Sequence, residues 1–151
     1  MKAWLGEILG GLSDVVFPRA CVHCRSLVES APEVEDAADS VRGAGFRHLC
    51  ARCVAGLDWV QPPHCTTCGH PYPGVMSENR QCVKCEGLEP AYREGRTAVL
   101  FRGPARSVVI ELKYHRGVHV LEDIEEIFRR SEHVLEAVRG GVLVPVPLHP
   151  R

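Results

Sequence analysis

CVHC (21–24), CARC (50–53), CTTC (65–68), CVKC (82–85): one four-residue phrase occurs four times and uses all 8 cysteines of the 151-residue chain. All four copies lie before residue 86. Their reading decides what holds the first part of the chain together, because little else there can. Up to residue 90 the apolar residues are diluted by Cys, Gly, Pro and polar side chains. Beyond residue 95 they gather in runs such as TAVLF (97–101), SVVIEL (107–112) and GVLVPVPL (141–148). The overall composition, 45% hydrophobic and 25% charged, is that of an ordinary soluble protein, so the distribution carries the information. It predicts two parts, a cysteine-rich and loop-rich module followed by the opening of a conventional hydrophobic domain.

Two cysteines separated by two residues can aim both sulfurs at one point from a tight turn. Two such turns complete a tetrahedron of thiolates around zinc, with Zn–S near ~2.3 Å. A single CxxC also serves redox chemistry, but four of them with no cysteine left over predict two four-thiolate zinc sites. Gaps of 25, 11 and 13 residues separate the pairs. Sequential pairing gives one site from Cys21, Cys24, Cys50 and Cys53 and another from Cys65, Cys68, Cys82 and Cys85. An interleaved cross-brace, with the first and third pairs sharing a metal, satisfies the same count; the sequential scheme is favoured because each of its loops can hold a hairpin. Four thiolates leave zinc no open position for water, which makes both metals structural. Their binding free energy, on the order of 10–16 kcal/mol, takes the place of a hydrophobic core. His23, His48, His64 and His70 flank the pairs and are able to replace a thiolate in a mixed site; with four cysteines per metal they are expected to be exposed or to lie behind the ligands.

Residues 1–20 carry Trp4, Leu5, Ile8, Leu9, Leu12 and Val16 at helical spacing, an amphipathic helix interrupted by Glu7 and Asp14 rather than a signal peptide. No stretch approaches the ~20 apolar residues that span a bilayer. With so many cysteines read as metal ligands and no export signal, the expected location is the cytoplasm. The segment ESAPEVEDAADSVRGAG (29–45) is acidic and poor in large apolar residues, and reads as a surface insertion. The formal charge is −1, and two zinc-tetrathiolate sites lower it to about −5. Arg19, Arg25, Arg52 and Lys84 are scattered near the cysteines without aromatic interleaving, so direct nucleic-acid binding has no support in the sequence.

The second part begins with Thr97–Phe101, a β-branched apolar run predicted as a buried strand. Gly103–Pro104 starts a helix, with Ala105, Val108, Val109 and Leu112 as its buried stripe, and Gly117 ends it. A longer helix over Val118–Val138 follows, placing Leu121, Ile124, Phe128, Leu135 and Val138 on its apolar face. Gly140–Gly141 closes it before a strand at Val142–Val146. Strand, helix, helix, strand opens an α/β domain, and two strands cannot complete one. The reading is therefore of a domain whose remainder is not in these residues.

FPRACVHC (17–24), CTTCG (65–69), RGPARSVVIELKYHRG (102–117) and VPVPLHPR (144–151) together resemble the N-terminal portion of the ComF family, bacterial phosphoribosyltransferase-like proteins associated with competence and DNA uptake. The resemblance runs from about Leu5 to Arg151. It implies an α+β, small metal-bound architecture: an N-terminal helix (1–20), a double zinc ribbon (21–90) and the incomplete start of a type I phosphoribosyltransferase domain (95–151). It further implies phosphoribosyl pyrophosphate and Mg²⁺ as ligands of the full-length protein, and partners among competence proteins. The family's acidic pair and Thr- and Gly-rich phosphate loop have no counterpart here, so no catalytic residue is carried over and the chain alone is expected to be inactive. Lys113, Tyr114, Arg116 and Arg151 are the candidates for a phosphate-facing site, by position at a helix end or strand end. The alternative is a stand-alone double zinc ribbon acting as an adaptor for protein or nucleic-acid partners.

Overall fold

Among the described residues, cysteine turns and short helices, rather than a sheet, organise the chain. The computed structural model describes residues 18–28, 45–72, 74, 78–142 and 144. Residues 1–17 of the expected N-terminal helix (1–20) and 29–44 of the acidic insertion (29–45) lie outside them, as do most of the expected strand Val142–Val146 and Arg151. The chain divides into two compact units: Met1–Trp59 with Val99–Ile127, and Val60–Ala98 with Phe128–Arg151. Grouping by contact thus differs from segmentation by composition, since each unit takes one cysteine-rich stretch and one later segment.

In the first unit, α1 (Ala51–Ala55) starts at the extended Cys50 and buries Cys53 and Val54. Helix α2 (Gly103–Tyr114) starts where the sequence predicts: Arg102 is extended, Gly103 has φ +50° and Pro104 supplies a fixed φ in the first turn. Pro104, Ala105 and Val108 are buried and Val109 and Leu112 half-buried, which reproduces the expected stripe. The helix turns out at His115 and Arg116, the latter with φ +59°. Gly117 follows because a Cβ there would meet Glu111 Cγ at 2.6 Å.

The expected helix Val118–Val138 is three pieces. A 3₁₀ turn (Val118–Val120) leads into α3 (Leu121–Arg129), and α4 (Glu132–Val138) begins after a break at Ser131. Ser131 is buried, its N–H donates to Phe128 C=O at 2.9 Å, and its own carbonyl accepts from Val134 and Leu135. The buried residues are Val120, Asp123, Glu126, Ile127, Ser131 and Val134, most of them about one position round from the expected face. Leu121, Phe128, Leu135 and Val138 are exposed instead.

Neither expected strand forms among the described residues. Around Val99 there is an isolated antiparallel bridge to Trp59, with Leu100 N–H donating to Asp58 C=O at 2.9 Å, and Phe101 is 61% exposed. In the second unit, Val60 N–H donates to Ala98 C=O at 3.0 Å. Val142 and Val144 lie outside any strand and are exposed. The other two bridges, Ala20 to Leu27 and His64 to Pro71, close the first and third cysteine turns. A run of β-branched residues becomes a strand only where a partner edge satisfies its N–H and C=O groups, and none of the described segments supplies a long enough one.

Candidate metal centres

The first turn is a tight loop in which Cys21 N–H donates to Ser26 C=O (2.8 Å) and Arg25 N–H to Cys21 C=O (2.9 Å), with Arg25 at φ +64°. Its partner comes from Cys50, just before α1, and Cys53 within it, and Val22 N–H donates to His48 C=O at 2.9 Å to join the two. Phe46, Leu49, Val54, Leu57, Val108 and Val120 form the apolar body of this unit. Asp123, 0% exposed, reaches from α3 and accepts the backbone N–H groups of Arg47 (2.7 Å) and His48 (2.9 Å). It thereby holds the residues leading into Cys50. Burial raises its carboxyl above the ordinary value, against the pull of those two N–H donors.

The third turn repeats the pattern, with Cys65 N–H to His70 C=O (2.9 Å) and Gly69 N–H to Cys65 C=O (3.0 Å). Gly69 has φ +70°, and a Cβ would lie 2.7 Å from Gly95 O and 3.0 Å from Thr97 N. Only glycine serves there. The fourth turn is closed by Cys85 N–H to Cys82 C=O at 2.8 Å and tied to the third by Thr66 N–H to Arg80 C=O at 3.0 Å. Asn79 accepts the His64 N–H at 2.7 Å, and Tyr72 Oη accepts the Arg80 N–H at 3.0 Å.

These turns gather the sulfurs in sequential order. Cys21, Cys24, Cys50 and Cys53 form one group and Cys65, Cys68, Cys82 and Cys85 the other, with all sulfurs of a group within 4.8 Å of one another. Four sulfurs at ~2.3 Å from a zinc stand about 3.8 Å apart. The Cys24–Cys50 separation is 3.6 Å and the Cys68–Cys82 separation 4.0 Å, so both groups fit a tetrahedral Zn²⁺. All eight are free of disulfides. No histidine among the described residues joins either group. His23 pairs with Ser107 at 2.9 Å, His70 Nδ1–H donates to Pro71 C=O at 2.7 Å, and His48 packs edge-on against His119. His64 is buried beside Arg96, and burial followed by that cation holds its imidazole below the ordinary value.

Within each group the thiols divide. The Ser26 hydroxyl and N–H hold Cys24 down to about 6. Burial opposes ionisation of Cys65, but the N–H groups of Cys68, Cys82 and Thr67 bring it to about 6. Burial works against ionisation of Cys50 as well, and the Cys53 N–H and Ser26 hydroxyl outweigh it. Burial and neighbouring sulfurs push Cys85 up to about 12 and raise Cys53 further still, while burial raises Cys68. Four crowded sulfurs cannot all shed protons without a cation among them, which is the electrostatic requirement a divalent metal meets.

Residues 12–86 match the family model of the double zinc ribbon domain. This segment is a double zinc ribbon. It holds two four-cysteine centres, each closed to water and suited to a structural zinc. The match does not extend over residues 87–151, and no curated protein or solved structure matches the chain. No helix among the described residues is long and apolar enough to cross a membrane.

Of the sequence-predicted phosphate residues, Arg151 lies outside the described residues. Lys113, Tyr114 and Arg116 are exposed where α2 ends. Among the residues that sequence reasoning missed, Asp123 stands out: an acid between two apolar positions of a helix reads as solvated unless its distant N–H partners are known. Ser26 and Asn79 are of the same kind, each an ordinary turn residue until its acceptor or donor is placed.

Proposed function

We propose that this chain supplies the zinc-held N-terminal portion of a ComF-like phosphoribosyltransferase, in which two structural Zn²⁺ ions fold the ribbon. The observation that carries this reading is the co-occurrence of two closed four-sulfur centres with a helix that ends in LKYHRG (112–117), ahead of VPVPLHPR (144–151). Exposure of Lys113, Tyr114 and Arg116 at the end of α2 supports a phosphate-facing role for them, and Arg151 is assigned the same role from its place after the Pro-rich run. In this reading the location is cytoplasmic, where eight free thiols suit the redox state, and partners are sought among competence and DNA-uptake proteins.

Phosphoribosyl pyrophosphate and Mg²⁺ belong to the family's full transferase domain; these 151 residues lack the acidic pair and Thr- and Gly-rich loop that would hold them. The purified 151-residue protein is therefore expected to release no pyrophosphate from phosphoribosyl pyrophosphate with Mg²⁺, followed by ³¹P NMR. Turnover would overturn this. A second reading is a stand-alone ribbon adaptor for protein or nucleic-acid partners; it predicts a compact monomer, and the exposed apolar side chains of Phe101, Tyr114 and Val118 in the first unit and Leu135 and Val138 in the second count against it. Sedimentation separates the two. A well-behaved monomer supports the adaptor, and self-association through those side chains supports the transferase portion.

A further inference from the structure

The two centres protect their sulfurs unequally. Cys65 is 0% exposed, and its sulfur accepts N–H groups from Thr67 and Cys68 at 3.4 Å and from Cys82 at 3.3 Å. Of the eight cysteines, Cys24 alone is exposed. Its sulfur has the Ser26 hydroxyl at 2.9 Å and the Cys50 sulfur at 3.6 Å. A zinc-bound thiolate keeps a nucleophilic lone pair; hydrogen bonds to sulfur withdraw density from it, and burial denies approach. Both effects guard the second centre's Cys65, and the first centre presents one open sulfur.

We propose that Cys24 is a thiol-modification site, the point at which a soft carbon electrophile enters the first zinc centre while leaving the second in place. The Cys24 thiolate attacks the electrophilic carbon, the sulfur lone pair becomes the C–S bond, and the leaving group departs with its own electron pair. The Zn–S bond breaks because the thioether is uncharged and binds zinc weakly. A zinc held there would then keep only the thiolates of Cys21, Cys50 and Cys53 and would be bound less tightly. The consequence is local to the first unit: Cys53, on the same centre, sits in α1 next to the buried Val54, so losing the metal frees the helix that carries part of the apolar body.

This inference rests on the two-zinc reading, so the test starts with a zinc count on the full chain by mass spectrometry of the metal. A count other than two overturns that reading and this one with it. Given two, the loaded protein is treated with one equivalent of iodoacetamide while a chromogenic indicator follows zinc and peptide mapping locates the carbamidomethyl group. The expected result is label on Cys24 and release of one zinc at least about tenfold faster than the other, the difference that two or three charge-assisted hydrogen bonds and burial supply. Label first on Cys68 or Cys82, or both zincs leaving together, overturns the proposal. Ser26→Ala keeps all eight ligands and removes the hydroxyl from the Cys24 sulfur; faster alkylation of Cys24 is expected, and an unchanged or slower rate overturns the part assigned to that hydroxyl.

Discussion

The two units enclose the same four-sulfur geometry but support it differently. Around the first centre, Phe46, Leu49, Val54, Leu57, Ala105, Val108, Val120 and Ile127 are buried. Around the second, the buried apolar residues other than cysteine among the described residues are Val60, Ala98 and Val134. At roughly 25 cal/mol per Å² of buried apolar surface, the first unit keeps a driving force for collapse when its metal is gone, and the second has little beyond its metal. Zinc is therefore an organiser in one unit and the core itself in the other.

The largest effect that tests this contrast is loss of a ligand. Cys85→Ser is expected to abolish amide dispersion for residues of the second unit in a ¹H–¹⁵N spectrum. Cys53→Ser is expected to broaden the first unit while α2 keeps protected amides. Equal collapse in both variants would break the comparison. Acid acts next, and on both centres, because protons compete with zinc for sulfur. Cys24 and Cys65 have depressed thiol pKa values, so the stability their ionised forms contribute is present above the ordinary thiol value and is lost as the pH falls through about 6. Thiolate ultraviolet absorbance of the metal-free protein should fall there, and its persistence well below that pH would contradict it.

Smaller changes sharpen the contrast unit by unit. Asp123→Ala strands two backbone donors in the first unit and is expected to lower its stability by about 2–4 kcal/mol, with Asp123→Asn milder because its amide oxygen still accepts one of them. Denaturant midpoints on zinc-loaded protein check both. In the second unit, Gly69→Ala forces a Cβ against Gly95 O at φ +70° and should cost about 1–3 kcal/mol, seen as weaker zinc retention because little else holds that turn. At the small end is the ion pair in which the exposed Arg102 donates from Nε (2.5 Å) and Nη2 (2.7 Å) to the half-buried Asp58. Arg102 holds the Asp58 carboxyl below its ordinary value, so the contribution is present above that value and fades as the pH falls through the lowered one. Solvent screening keeps it slight, and Arg102→Ala should shift the midpoint at low salt and not at high salt.

Much of the ribbon was legible because its chemistry is local. A CxxC turn needs only its own four residues and a following glycine or polar residue, as Cys65–Gly69 shows, and four copies with none spare leave few arrangements of metal. The start of α2 at Gly103–Pro104 is local for the same reason, with φ set by the residues themselves. Reading the 118–138 stretch as one helix with Leu121, Ile124 and Phe128 inward went astray because apolar periodicity weighs only hydrophobicity. The face that turns inward carries Asp123, whose partners at Arg47 and His48 lie 76 and 75 residues away.

By itself, then, the sequence determined that eight sulfurs suit two metal centres and where the first long helix begins, whereas its expectation that zinc replaces a core before residue 86 fails in the first unit, where Phe46, Leu49, Val54 and Leu57 are buried. Tertiary structure decided which sulfurs share a centre, that 99–127 groups with the first centre and 128–151 with the second, and which helix face is buried. The physical reason is range. Turn geometry and thiolate chemistry are properties of neighbouring residues, whereas a buried carboxylate or an apolar contact takes its sign from groups that only the folded chain brings within hydrogen-bonding distance.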